Sequence, residues 1–227
     1  MGGQACLLYG VAEFSRDIDL AILIDADNLD SMRRVLDVCQ AEPIFFPDLS
    51  EEKLQRGHAC HFRCHAPESE GVRIDVMGRM RGLEPFPSLW ERRIEMEVPD
   101  IGTIAVMSLP DLVLAKKTQR DKDWPMIRRL VEVDIHKHQQ NPPPDRLPFW
   151  LLECRSPEWL KTLGNTYPDD ALRLSTQRPL LATVHSDSLE TIAVHLRSEE
   201  DLERALDRDY WRPLKAELEQ WRHGRKA

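Results

Sequence analysis

The stretch Phe14-Ser15-Arg16-Asp17-Ile18-Asp19-Leu20-Ala21-Ile22-Leu23-Ile24 sends two carboxylates, one residue apart, into a run of aliphatic side chains. Alternate side chains of a strand share a face and stand roughly 7 Å apart, so Asp17 and Asp19 project together. Unpaired charge is too costly to bury deeply, which places both acids at the rim of an otherwise buried strand. A third acid, Asp75, has the same setting between Ile74 and Val76. Three such acids on neighbouring strands suit two magnesium ions, which neutralise a polyphosphate and align an in-line displacement.

The remaining sequence narrows the class. With 227 residues, 41% of them hydrophobic, the chain has room for a core domain and an appendage. No run of about 18 apolar residues is present to span a bilayer, and no secretion-type leader precedes the first element, so a cytoplasmic protein with no membrane partner is expected. A formal charge of −8 repels polyanions on average. A nucleotide or an RNA end would then need a local basic patch or bound cations. The five cysteines are odd in number and irregularly spaced, which reads as reduced, mostly buried thiols.

The pattern predicts an α/β (α+β) protein, a mixed sheet flanked by helices with a mostly helical C-terminal region. A helix is expected over 3–10, a strand over 17–24, and a helix from Asn28 to about Cys39. Residues 58–65 and 71–77 read as an antiparallel hairpin, with further strands at 93–98 and 103–107. Ser108-x-x-Asp111 has the form of a helix start, with Pro110 in the first turn, and that helix should run toward Gln119. Another helix is expected over about 125–139. Asn141-Pro142-Pro143-Pro144 reads as a stiff connector, which divides the chain into 1–140, a linker at 141–145, and 146–227. Residues 146–163 look helical, 165–184 are ambiguous, and 187–222 carry amphipathic spacing.

Two more features accompany the acids. Gly2-Gly3 opens the first helix, where small residues allow close backbone approach and exposed N–H groups favour phosphate oxygens. On the helix after Ser108, residues Leu109, Leu112, Val113, Lys116 and Arg120 form one stripe, so Lys116 projects toward the interior and Lys117 turns about 100° away. An ammonium facing acids and phosphates would clamp a triphosphate, reinforced by Arg120, Asp121 and Asp123.

Taken in order, Gly2-Gly3, Ser15, Asp17-x-Asp19, the Ile74-Asp75-Val76 strand and the segment Asp111-Leu112-Val113-Leu114-Ala115-Lys116 with Arg120-Asp121-Lys122-Asp123 form one pattern. Over about residues 1–135 the chain resembles the nucleotidyltransferase superfamily with the DNA-polymerase-beta-like fold, most closely the small bacterial AbiEii-toxin and minimal-nucleotidyltransferase type. The resemblance implies Mg2+ (or Mn2+) held by Asp17, Asp19 and Asp75. It implies catalytic roles for those acids and Lys116, and nucleotide binding by Gly2, Gly3, Ser15, Lys116 and Arg120. The expected reaction moves a nucleoside monophosphate from an NTP to an RNA end, a protein hydroxyl or a small molecule. An antitoxin or a second copy of the chain is the partner such proteins would take. Members place a strand directly before the Gly pair, which here follows Met1, so either the start lies upstream or the sheet lacks that strand.

Two other readings compete. A degenerate transferase domain would serve as a binding module for a protein or an RNA. A zinc site at His58, Cys60, His61, Cys64 and His65 meets a geometric objection: strand alternation puts His58, Cys60 and Cys64 on one face and His61 and His65 on the other. Burial of Cys60, Phe62 and Cys64, with His61, Arg63 and His65 beside Asp75 or facing water, is the expected arrangement.

Overall fold

Alternation of aliphatic and polar residues along 17–21, 60–63 and 73–77 becomes a sheet in the computed structural model, which describes residues 1–12 and 14–224. The chain is mixed α/β and divides into two compact units. Met1–Ala115 and the described residues from Arg208 onward form the first, and Lys116–Asp207 the second. The Pro142–Pro144 run lies inside the second unit rather than at a boundary between units.

In the first unit the elements are α1 (Gly2–Leu8), β1 (Asp17–Ala21), α2 (Ala26–Val38), β2 (Glu42–Phe45), α3 (Glu51–Gln55), β3 (Cys60–Arg63), β4 (Arg73–Met77), α4 (Phe86–Glu91), β5 (Ile94–Val98), β6 (Gly102–Val106) and α5 (Leu109–Ala115). Among the described residues the main sheet has the order β1-β4-β3-β2, with β1 parallel to β4 and the other pairs antiparallel. β5 and β6 form a separate hairpin.

One face of the main sheet is apolar. Cys60, Phe62, Cys64, Ile74 and Val76 pack with Leu29, Met32 and Leu36 of α2 and Leu54 of α3, and Leu20, Ile22 and Cys39 close the cluster. The 29–32–36 spacing turns one stripe of α2 onto the sheet. α2 starts two residues before the expected Asn28 because the Asp25 carboxylate accepts the Asn28 N–H at 2.8 Å and caps the first turn. That cap also makes β1 shorter than the expected 17–24: Ile22 N still bonds Met77 O, and then Asp25 N turns back to Leu23 O. β2 escapes the sequence pattern because it is four residues long and contains Pro43; it is an edge strand, where a missing N–H is tolerated.

The start of α5 follows its local chemistry. Ser108 Oγ accepts the Asp111 N–H at 3.3 Å and donates to Asp111 Oδ2 at 2.6 Å, and Arg92 reaches the same carboxylate at 2.9 and 3.2 Å. Its end does not follow the expectation. The helix stops at Ala115, and Lys116 and Lys117 lie in the turn beyond it, both buried.

The second unit holds α6 (Asp123–His138), α7 (Arg146–Glu153), α8 (Pro157–Thr166), α9 (Pro168–Leu174) and the first part of α10 (Leu189–Gly224). The single helix expected over 146–163 is two, because Ser156 caps α8 and Pro157 occupies its first position. Trp150 is fully buried and donates its indole N–H to Asp134 at 2.7 Å. Arg178, 4% exposed, donates to the carbonyls of Leu151 and Cys154 at 2.7 and 3.0 Å and to Glu199 at 2.8 Å. Arg155 joins the same carboxylate at 2.6 Å. No helix among the described residues is long and apolar enough to cross a membrane.

The part of α10 from Arg208 onward belongs to the first unit. There Glu217 takes His58 Nε2 at 2.7 Å and also pairs with Arg56, while the Trp221 ring lies 4.9 Å from the His58 ring and 5.7 Å from that of Phe46.

Glu199 offers a test of the second unit. Burial pushes its pKa up, but the Arg178 and Arg155 guanidinium groups outweigh that and hold it below the usual carboxylate value. A depressed folded-state pKa adds stability that is fully present above the unfolded value of about 4.3 and is lost as pH falls through the lower folded value. Glu199→Ala should therefore lower the unfolding free energy by about 3 kcal/mol near neutral pH, because Arg178 is left buried without its counter-charge. Urea denaturation followed by circular dichroism should show that difference shrinking at about pH 3; equal stability of the two proteins at neutral pH would contradict the assignment.

Candidate functional site

The second face of the main sheet is polar, and strand register decides what meets there. Asp19 stands opposite Asp75 across the parallel β1–β4 pair, and Asp17 stands opposite Arg73. His61 faces Asp75 across the antiparallel β3–β4 pair. Residues opposite one another in register, and residues two apart, lie on the same side of a sheet. Asp17, Asp19, Arg73, Asp75 and His61 therefore share one face, while Ile74, Val76, Cys60 and Phe62 fill the core on the other.

Asp75 is only 8% exposed, and its Oδ1 is engaged twice: His61 Nδ1 lies at 2.8 Å and Arg73 Nε at 2.7 Å. Burial pushes its pKa up, and the hydrogen bonds and charges of His61 and Arg73 overcome that and hold it below the usual aspartate value. Arg73 is shifted upward by its hydrogen bond to Asp75 and, through space, by Asp75, Asp17 and Asp19. One guanidinium thus lies in the field of all three acids. Its place follows from the sequence, since Arg73 precedes Asp75 by two residues on the same strand.

Asp19 is approached from α1. Gly3 N–H lies 3.3 Å from Asp19 Oδ2, and the Met1 amine donates to Asp19 O at 2.8 Å. A Cβ on Gly2 would overlap the Asp19 carboxylate, and one on Gly3 would overlap Ser15 Oγ; Gly2 also has φ +62°. Close packing thus favours glycine at both positions, and a left-handed backbone favours it further at Gly2. Ser15 donates its hydroxyl to Asp17 O at 3.1 Å. Asp19 also lines a cavity of about 100 Å³ with Met1, Leu89, Trp90, Arg93 and Val106.

Lys116 and Arg120 belong to the second unit, where both converge on Asp123. Lys116 Nζ lies 3.4 Å from Asp123 Oδ1, Arg120 Nε 2.7 Å from Asp123 Oδ2, and Thr118 Oγ1 2.6 Å from the same oxygen. Asp123 is 3% exposed, so two cations offset the charge of one buried acid and a hydroxyl hydrogen-bonds to it. Lys117 does not turn away to the outside; it is buried 2.8 Å from Glu153.

The oxygen donors Asp17, Asp19 and Asp75 are of the type that magnesium takes. Among the described residues no three carboxylate, imidazole or thiol groups are drawn into a ready-made cage. Arg73 supplies positive charge in that space instead. The 58–65 stretch is likewise not gathered for zinc: Cys60 and Cys64 are fully buried among core residues, and His61 is turned to Asp75. Arg73 is the residue of this face that sequence reasoning missed, although its offset of two from Asp75 is there to be read.

No family model matches this chain, and a search of curated proteins finds no match.

The packing of Gly2 gives a direct test of the site's frame. Gly2→Ala should displace the Asp19 carboxylate and lower stability by about 1–3 kcal/mol through overlap and backbone strain. Thermal unfolding checks this, and an unchanged melting temperature would show that α1 does not pack on Asp19.

Proposed function

We propose that the chain is a metal-dependent nucleotidyltransferase, with the fold of the superfamily it resembles, moving a nucleoside monophosphate from an NTP to an acceptor hydroxyl or phosphate. The observation that carries this reading is the register that sets Asp19 beside Asp75, with Asp17 on the same polar face. Magnesium or manganese, when bound, would neutralise the triphosphate and align its in-line displacement. Asp17, Asp19 and Asp75 would hold it, and Asp75 would also help draw the proton from the acceptor. Gly2, Gly3 and Ser15 would form the wall against which the nucleotide lies. The resemblance gives Lys116 and Arg120 the task of offsetting phosphate charge, which would require both to leave Asp123. Such chemistry needs placement and charge stabilisation, with no protein nucleophile. The acceptor would be an RNA end, a protein hydroxyl or a small molecule, and an antitoxin-type protein or a second copy is the partner proposed, in the cytoplasm.

One observation favours a second reading. Arg73 and His61 already satisfy Asp75, and Arg73 lies in the field of the other two acids. A domain whose acids are internally compensated would serve as a binding module without transfer.

Labelled NTPs with magnesium and a cell lysate should yield labelled RNA, protein or small molecule, and Asp17→Ala or Asp19→Ala should reduce the label to background. Full transfer by either variant would remove the mechanism. Calorimetry with ATP, GTP, CTP and UTP separates the two readings, because the binding module should give no magnesium-dependent heat.

A further inference from the structure

Cys39 and Cys64 both lie in the apolar cluster against the main sheet. Cys39 caps the C-terminus of α2, and Cys64 follows β3 and is fully buried. The Cys39 carbonyl accepts the backbone N–H groups of His65 at 3.1 Å and Ala66 at 3.0 Å, so the chain leaving Cys64 is tied directly to the residue that carries the other thiol. Both side chains belong to the cluster around Leu36, Phe62 and Ile74. The Cys64 thiol is pushed above its ordinary pKa first by burial and then by the charge and hydrogen bonding of Cys39. These two hydrogen bonds hold the backbone that follows Cys64 against Cys39, and a disulfide bridges Cα atoms about 4.4–6.8 Å apart.

Access is one-sided. Cys39 is half-buried and lines a solvent-facing hollow of about 390 Å³ with Ser31, Arg34, Val35 and Val38. The other thiols are placed differently. Cys60 and Cys154 are fully buried with their sulfurs 3.5 and 3.6 Å from the carbonyls of Asp48 and Ser156, and Cys6 is buried on α1.

We propose that Cys39 and Cys64 form a reversible disulfide, made by a small-molecule disulfide such as oxidised glutathione that reaches Cys39 through this hollow. The Cys39 thiolate attacks one sulfur of the oxidant; the oxidant's S–S bond breaks, and one small thiol leaves with a proton from solvent. The Cys64 thiolate then attacks the Cys39 sulfur of the mixed disulfide, forming the protein S–S bond and expelling the second small thiol. Two protein thiols are oxidised, and one small-molecule disulfide is reduced to two thiols. The bond ties the end of α2 to the end of β3 and closes the segment that carries β2 and α3, which restricts the unfolded chain. The proposal is independent of the transferase reading.

The test exposes the full-length protein to oxidised glutathione at about pH 8.5, near the ordinary thiol pKa, and then alkylates and digests it without reduction. The expected result is a cross-linked peptide pair joining Cys39 to Cys64, reopened by dithiothreitol, with Cys6, Cys60 and Cys154 recovered as free thiols after unfolding. Cys39→Ser should abolish the link and leave Cys64 free. Recovery of both Cys39 and Cys64 as free thiols, or a stable glutathione adduct on Cys39 as the end product, would overturn the proposal. The wild-type peptide map decides the matter even if a serine variant fails to fold.

Discussion

The parallel pairing of β1 with β4 is the constraint from which the first unit takes its character. Side chains alternate across a sheet, so a shift of one residue in that register would exchange the two faces. In the observed register Ile74 and Val76 join the core, and Asp19 and Asp75 come together on the other side. The two outcomes are inseparable. The apolar cluster with α2 and α3 holds the register, and the register in turn brings acids from stretches far apart in sequence onto one surface.

Gathering acids raises an electrostatic cost that this unit meets from within. Neighbouring carboxylates repel, and a buried one such as Asp75 must be paired or protonated. Arg73 and His61 supply the pairing from positions on the same sheet face, and their joint effect keeps Asp75 ionised despite its burial. A guanidinium cannot lose its proton in a protein, so this compensation persists across the physiological range. Any added cation would compete with Arg73 for the same carboxylates. The same rule governs the second unit, where Lys116, Arg120 and Thr118 converge on Asp123 and Arg178 and Arg155 converge on Glu199.

Local periodicity makes much of this legible in the sequence. Alternation along 60–64 and 73–77 discloses the hairpin and the burial of Cys60, Phe62 and Cys64, and Ser108-x-x-Asp111 discloses the start of α5. Where tertiary contacts overrule local pattern, the sequence is silent or misleading. β2 forms around Pro43 because it lies at an edge. The stripe that carries Lys116 onto a helix face ends at Ala115, since the buried partners of Lys116 and Lys117, Asp123 and Glu153, lie further along the chain. Of the candidate site, the three acids are readable as a set, since all sit in aliphatic strands. The offset of two that puts their counter-charge Arg73 on the face of Asp75 is in the sequence as well, but only the register shows that Asp17 and Asp19 stand on that face too.

The division of the chain shows the same limit at a larger scale. Three consecutive prolines are a sound local reason to expect a boundary, yet compactness is decided by which apolar and charged surfaces find partners. The described residues from Arg208 onward rejoin the first unit because Glu217 and Trp221 meet His58, Arg56 and Phe46 there. His58 is 1% exposed, and its Nε2 would be a buried, unpaired polar atom without Glu217. Tyr210 likewise lies over Gly57, where a larger residue would collide with its hydroxyl. A helix end that is distant in sequence therefore completes the burial of the α3–β3 turn, and the polypeptide order of the two units is nested rather than sequential.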